Sequence, residues 1–281
     1  MEYLERRRDM FDERLAELLG EVEPPALREQ LEHVALSGGK RVRPMVTVLA
    51  CEAAGGDAGD AIDFAAGIEL VHNASLVIDD IIDRSDLRRG SSSAWAEFGH
   101  GPAIVGSDAL LGEAFAQFSA EPRAMQAVTE AMIELGEGEA SELVAMPETE
   151  AEYMELARRK TGALFRAAAE LGAIAADADP YAVEAFGDYA ERVGVAFQIR
   201  DDVLDATADA DDLGKPTGLD AQMDRPSLVE ITDLAPEEAN RRAKDQSEAA
   251  IEALRAVDTV GDEDAREYLR DLAEFVVVRE R

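Results

Sequence analysis

Apolar residues recur at three- and four-residue intervals along nearly the whole chain, which predicts helices almost everywhere. Tyr3, Leu4, Phe11, Leu15, Leu18 and Leu19 line one face of a first helix ending about Glu21. Pro24-Pro25 interrupts the pattern, and a second helix runs from Ala26 to Leu36, stopped by Gly38-Gly39. Pro44 suits the first turn of a third helix, which reaches about Ala54 before Gly55-Gly56. The stretch from Asp60 to about Arg84 is apolar on most sides, so this fourth helix is expected at the centre. Ser85 to His100 is polar and reads as a loop. Pro102 opens a helix to about Ser119, Pro122 one to about Gly138, and a helix after Pro147 runs through Lys160 to Leu171. Pro180 opens a pair of segments, the second ending near Asp205, and Ala206 to Arg225 reads as a loop rich in Asp and Gly. Helices from Pro236 to about Val257 and from Glu263 to Val278 close the chain, with the run at Val276 the one short strand signal. The pattern predicts an all-α fold, a bundle of ten or more helices around a central cavity. No linker composition divides residues 1–281, so a single domain is expected.

Two acidic triplets interrupt this apolar periodicity. Asp79-Asp80-Ile81-Ile82-Asp83 follows the apolar run Ile68 to Ile78, and Asp201-Asp202-Val203-Leu204-Asp205 follows Val193 to Ile199. Spacing of i and i+4 places Asp79 over Asp83, and Asp201 over Asp205, on one helix face. Clustered carboxylates on an apolar helix repel one another unless a cation compensates, and hard divalent ions with oxygen ligands are the natural candidates. Mg²⁺ takes one or two protein carboxylates and completes its shell with water and substrate phosphates. Two facing triplets therefore suggest metal ions clamping a diphosphate. A single such triplet is weak evidence in an acidic chain, whereas two on apolar helices are hard to ascribe to composition.

Charge narrows the picture further. Acidic residues outnumber basic ones 61 to 28, for a net charge of -33. Such a surface argues against nucleic acid and against anionic membranes. The 47% apolar content with helical periodicity argues against disorder. A folded, acidic, lysine-poor chain is expected from a high-salt setting, where self-repulsion is screened within roughly 3 Å at 1 M. The single Cys51 fits a reducing compartment. With no signal-peptide pattern at Met1 and no run of 18 apolar residues, the expectation is a cytoplasmic protein without stable membrane insertion.

Three of the four lysines fall in unusual contexts: Gly38-Gly39-Lys40-Arg41-Val42-Arg43-Pro44, Arg158-Arg159-Lys160-Thr161-Gly162 and Leu213-Gly214-Lys215-Pro216-Thr217-Gly218. Lysine is a compact charge suited to phosphate oxygens, arginine offers a bidentate fork, and the glycines allow backbone to approach an anion. Arg88-Arg89-Gly90 sets two guanidiniums just beyond Asp83. His72 lies two turns before Asp79 and Gln198 one turn before Asp201, although a lone helical histidine is as readily a core residue as a ligand. Asp209, Asp211, Gly214 and Asp220 superficially suggest a calcium loop, but Leu213 stands where an oxygen ligand is needed.

In this order the elements GGKRxRP, DDxxDxxxxRRG, KT, QxxDDxxD and GKPxGxD resemble the trans-prenyl diphosphate synthases, from Gly38 to Asp220, and Phe275-Val276-Val277-Val278-Arg279 is similar to the family's C-terminal end. The resemblance implies the all-α isoprenoid synthase bundle, a homodimer, and Mg²⁺. It implies that Asp79, Asp80 and Asp83 on one side, and Asp201, Asp202 and Asp205 on the other, bind Mg²⁺ around an allylic prenyl diphosphate. Arg88, Lys160, Thr161, Gln198 and Lys215 would hold that substrate, and Lys40, Arg43, His72 and Arg89 isopentenyl diphosphate. Asp224-Arg225 stands where a Gly-Lys pair is usual, with Arg225 as the corresponding contact, and Ile78 stands where histidine is common. The implied reaction is ionisation of the allylic diphosphate, attack by the isopentenyl double bond, and loss of a proton from the resulting cation to the released diphosphate. Ala74, Ser75 and Val71, all small or aliphatic, lie below Asp79 where short-chain members carry an aromatic floor, which implies a geranylgeranyl or longer product. A non-catalytic partner subunit would lack an aspartate motif, and a terpene cyclase or squalene-type synthase would lack Lys40, Arg43 and Arg89.

Overall fold

Prolines and local caps set most of the helix starts. The computed structural model describes residues 2–207, 228, 231, 235–257 and 261–278. Helices α1 (Glu2–Gly20), α2 (Pro25–Ala35) and α3 (Val42–Ala53) follow one another closely. Helix α4 (Ala58–Ile82) begins where the Asp60 carboxylate accepts the Asp57 N–H at 3.0 Å, and it ends at Asp83. Then come α5 (Ala94–Phe98), α6 (His100–Phe118), α7 (Pro122–Ala140), α8 (Glu150–Ala157), α9 (Ala163–Ala175) and α10 (Pro180–Thr207). Helices α11 (Pro236–Arg255) and α12 (Glu263–Val278) complete the described chain. More than ten helices are thus present among the described residues, as the periodicity predicts.

Helix α9 lies between the two aspartate-bearing helices, packing on both α4 and α10, while α3 packs on α4 and α9. The α3–α9 crossing is so close that a Cβ on Gly172 would sit 2.1 Å from the Thr47 carbonyl, so only glycine fits. The main core draws on α1 to α4, α6, α7, α9, α10, α11 and α12, and a smaller cluster joins Tyr153, Val195, Ile199, Val203, Leu228, Ala239 and Ala243. Helix α4 has the length and apolarity of a membrane span, yet most of its apolar window is buried within the bundle, as a core helix requires.

Four local expectations are corrected. Residues 85–100 are not all loop: β1 (Leu87–Arg88) and β2 (Ser91–Ser92) form a small antiparallel hairpin, and α5 follows it. The helix after Pro147 is broken by a π-turn at Arg158–Gly162, and another π-turn, Ser141–Ala145, extends α7. The segments after Pro180 are one 28-residue helix. Val276 lies within α12 rather than in a strand.

Candidate active site

The start of α3 and the β1–β2 hairpin bring together a group of cations. Arg41, in the left-handed region at φ 52°, turns inward, where it donates to Glu69 (2.7 Å) and to the Ala35 carbonyl (2.7 Å). Arg43 lies over the Phe165 ring of α9, 4.6 Å from its centroid, and its Nε is buried with no acceptor. Burial draws the Arg43 guanidinium down to about 10, Glu69 opposing and Arg89 reinforcing the shift. Among the described residues Arg89 donates to neutral groups, the Gly38 carbonyl at 2.6 Å and Asn73 Oδ1 at 3.4 Å, and burial lowers its pKa too. Gly39 (φ +131°) makes room for that guanidinium, because a Cβ there would meet Arg89 Cζ at 3.0 Å. This is a different use of glycine from the backbone–anion approach expected. His72 is pushed well below its ordinary value, first by burial and then by Arg43, Arg89, Arg88 and Arg41, and so is neutral. Lys40 is exposed beside this group. A buried donor without an acceptor amid several guanidiniums is a site for a multiply charged anion.

The first triplet divides. Asp79 and Asp83 are partly exposed, while Asp80 is buried and takes both Nε (2.9 Å) and Nη2 (2.5 Å) of Arg88 on Oδ1. Burial raises the Asp80 pKa even against Arg88. Adjacent residues on a helix point about 100° apart, so Asp79 and Asp80 cannot share a face.

The second triplet divides in the same way. Asp201 is exposed and Asp205 partly exposed, whereas Asp202 is buried and accepts from Tyr153 OH (2.5 Å), Gln198 Nε2 (3.0 Å) and the Leu228 N–H (3.1 Å). Gln198 Oε1 in turn accepts from Thr161 Oγ1 at 2.7 Å. Lys160, next to Thr161 in the π-turn, pairs with Glu142 and with Glu139 (3.3 Å).

The structure therefore gathers Arg43, His72, Arg88 and Arg89 on one side and, on the other, the hydrogen-bonded chain Thr161–Gln198–Asp202, with Lys160 next to Thr161 in sequence. Lys215 and Arg225 lie outside the described residues. Val71 and Ala74 are buried, and Ser75 is partly buried with its hydroxyl on the His72 carbonyl at 2.9 Å. Sequence reasoning missed Arg41, Glu69, Tyr153, Glu139 and Glu142. Glu69 alone carried a signal, as an acid on the apolar helix one turn before His72. Among the described residues no group of three or more His, Cys, Asp or Glu side chains is gathered to hold a metal by itself. The hard oxygen donors Asp79, Asp83, Asp201 and Asp205 nonetheless suit an ion that needs few protein ligands and takes phosphate oxygens for the rest.

A profile of the polyprenyl synthetase family matches residues 24–264. The chain is 34% identical to the short chain isoprenyl diphosphate synthase of Methanothermobacter thermautotrophicus, across 100% of this chain and 98% of that protein. It is 35% identical to the geranylgeranyl diphosphate synthase of Methanosarcina mazei, across 81% of this chain and 74% of that one. The crystal structure of geranylgeranyl pyrophosphate synthetase from Pyrococcus horikoshii superposes with a TM-score of 0.89 at 35% identity, covering 99% and 98% of the two chains.

Proposed function

Because the chain belongs to the polyprenyl synthetase family and is a trans-prenyl diphosphate synthase, we propose that it condenses isopentenyl diphosphate with an allylic diphosphate to give a trans-polyprenyl diphosphate of geranylgeranyl length or longer. The observation that carries this reading is the unsatisfied, buried Nε of Arg43, set beside Arg89 in a protein of net charge -33. Cations left without a carboxylate at ion-pair distance among the described residues, in so acidic a chain, are held for a substrate anion. Lys40, Arg43 and Arg89 hold the diphosphate of isopentenyl diphosphate, and neutral His72 contributes a hydrogen bond without adding charge. Arg88, Lys160, Thr161 and Gln198 hold the allylic substrate, with Lys215 and Arg225 as further contacts.

Asp79, Asp83, Asp201 and Asp205 are the groups that would hold Mg²⁺, while Asp80 and Asp202, expected as further ligands, are buried and engaged by Arg88 and by Tyr153 and Gln198. When bound, the metal supplies charge neutralisation for the departing diphosphate. The chain's own cations stabilise the same leaving group as the allylic C–O bond ionises, since their charge is aimed where charge develops. The second binding site holds the isopentenyl double bond next to the allylic cation, which removes the entropic cost of their encounter. Apolar walls exclude the water that would quench the cation. We read residues 1–281 as one polyprenyl synthase domain, working as a cytoplasmic homodimer. Exposed Ile104 (46%) and Val105 (58%) on α6, and Ile78 and Ile82 on the neighbouring α4, support a face between copies. Incubation with Mg²⁺, isopentenyl diphosphate and a series of allylic primers, followed by mass analysis, tests the reading; no elongation of any primer refutes it.

A further inference from the structure

The ammonium of Lys160 contacts two carboxylates, Glu142 and, at 3.3 Å, Glu139. The three side chains are 18%, 11% and 21% exposed respectively, so water screens them only in part. The geometry is built into the backbone. Lys160 sits in the π-turn Arg158–Gly162, and Glu142 in the π-turn that prolongs α7. The two come together at Gly138, where a Cβ would lie 2.9 Å from the Lys160 backbone nitrogen, so any other residue would force α7 away. From Lys160 the chain passes to Thr161, whose hydroxyl begins the series of bonds through Gln198 to Asp202.

We propose that Glu142, assisted by Glu139, is a positioning residue for Lys160 in the prenyl transfer, an inference that rests on Lys160 touching the allylic diphosphate. A lysine is a point charge on a flexible stem with no preferred direction of its own. Two carboxylates at the end of α7 and in the π-turn that prolongs it give its ammonium a defined place. They also bring two negative charges next to a substrate that is itself a polyanion. Glu142 therefore opposes substrate binding while it holds Lys160 where the leaving group needs it. Its effects on binding and on turnover have opposite signs.

That opposition is measurable. Glu142→Gln keeps the shape and removes the charge. It is expected to lower KM for the allylic diphosphate about threefold and kcat about tenfold, with KM for isopentenyl diphosphate unchanged. A carboxylate that only supported the fold would reduce the melting temperature or the active fraction and leave KM alone. In a Lys160→Ala background the added Glu142→Gln change is expected to leave kcat unaltered, because there is no ammonium to place, while KM for the allylic diphosphate still falls, because the repelling charge is removed. If Lys160→Ala impairs the enzyme but Glu142→Gln leaves both constants at wild-type values, or raises KM, the positioning role is overturned and the diphosphate role of Lys160 stands. If Lys160→Ala itself changes nothing, the diphosphate role fails first and the positioning role with it. Should Glu142→Gln lose its cooperative melt, Glu139→Gln is read by the same two criteria.

Discussion

Within each triplet the first and last aspartates are at least partly exposed, whereas the middle one is buried and bound by the protein itself. Asp79→Ala and Asp201→Ala are therefore expected to lower turnover at least about a hundredfold while leaving the thermal melt near that of the parent. Asp80→Ala and Asp202→Ala should behave differently. The first strips Arg88 of its carboxylate, and the second leaves Tyr153, Gln198 and the Leu228 N–H without their acceptor, at about 1–3 kcal/mol for each buried group unpaired. Both middle variants should melt clearly lower than Asp79→Ala and Asp201→Ala; identical melts in all four would remove the division. A second residue-scale test concerns Glu170 on α9, which burial lifts to about 7 although Arg166 lies 2.8 Å away and pulls the other way. Its folded pKa exceeds the ordinary 4.5, so its protonated form favours the native state. The contribution is complete below about pH 4.5 and is lost as pH rises through about 7. Glu170→Gln mimics the protonated acid at every pH and leaves Arg166 its bond to Asp188. The variant should match the parent near pH 4.5 and melt higher at pH 8, and a variant less stable than the parent at pH 8 would show that the ion pair outweighs the burial.

At the scale of elements, the proposed control of product length falls on α4. Below Asp79 it presents Ser75, Ala74 and Val71, none of them large enough to close a tunnel early, and Ser107 of α6 donates to the Ala74 carbonyl at 3.0 Å, which fixes α6 alongside. Phe118 of α6 is fully buried and pressed on Gly67, where a Cβ would meet the ring at 2.4 Å. Gly67 lies twelve residues before Asp79, about 18 Å along the helix. A chain of farnesyl length does not need that depth. Ala74→Phe should shorten the product, and Ser75→Phe, at a half-buried position with more room, should act in the same direction. Farnesyl diphosphate as the sole product of the unmodified enzyme, or no shortening in either variant, would sink the open-tunnel reading. The course of α4 was legible in the sequence because twenty-odd residues of apolar periodicity leave a strong signal, and the prolines marked most other helix starts. The β1–β2 hairpin was not, since strands of two residues are too short to show a period. Nor were the π-turns, each of which inserts a single residue into an otherwise continuous helix. The six aspartates could be named from spacing, but which of them point inward depends on Arg88, Tyr153 and Gln198. The Arg41–Glu69 pair joins residues 28 apart, a contact that only folding reveals.

Across the whole molecule a net charge of -33 coexists with a pocket meant for polyanions. The two act over different distances. Repulsion among surface carboxylates, and between them and an approaching diphosphate, extends over many ångströms and is cut off as the screening length falls from roughly 10 Å at 0.1 M to roughly 3 Å at 1 M. Contacts of Lys40, Arg43, Arg89 and Lys160 with a bound diphosphate would be made at hydrogen-bond distance, in part beneath the surface, where salt screens them far less. Raising the salt therefore removes more repulsion than attraction, both for the folded chain and for substrate entry. Only four lysines are present, so the surface also has little strongly hydrated positive charge to offset its acids locally. Thermal melts and initial rates measured over a KCl series are expected to rise together toward molar salt. The rise in rate should appear in kcat/KM before kcat, because it is approach that is being relieved. A protein most stable and fastest in dilute buffer would show that its surface charge is neutralised by pairing within the fold, and the proposed adaptation to high salt would fall.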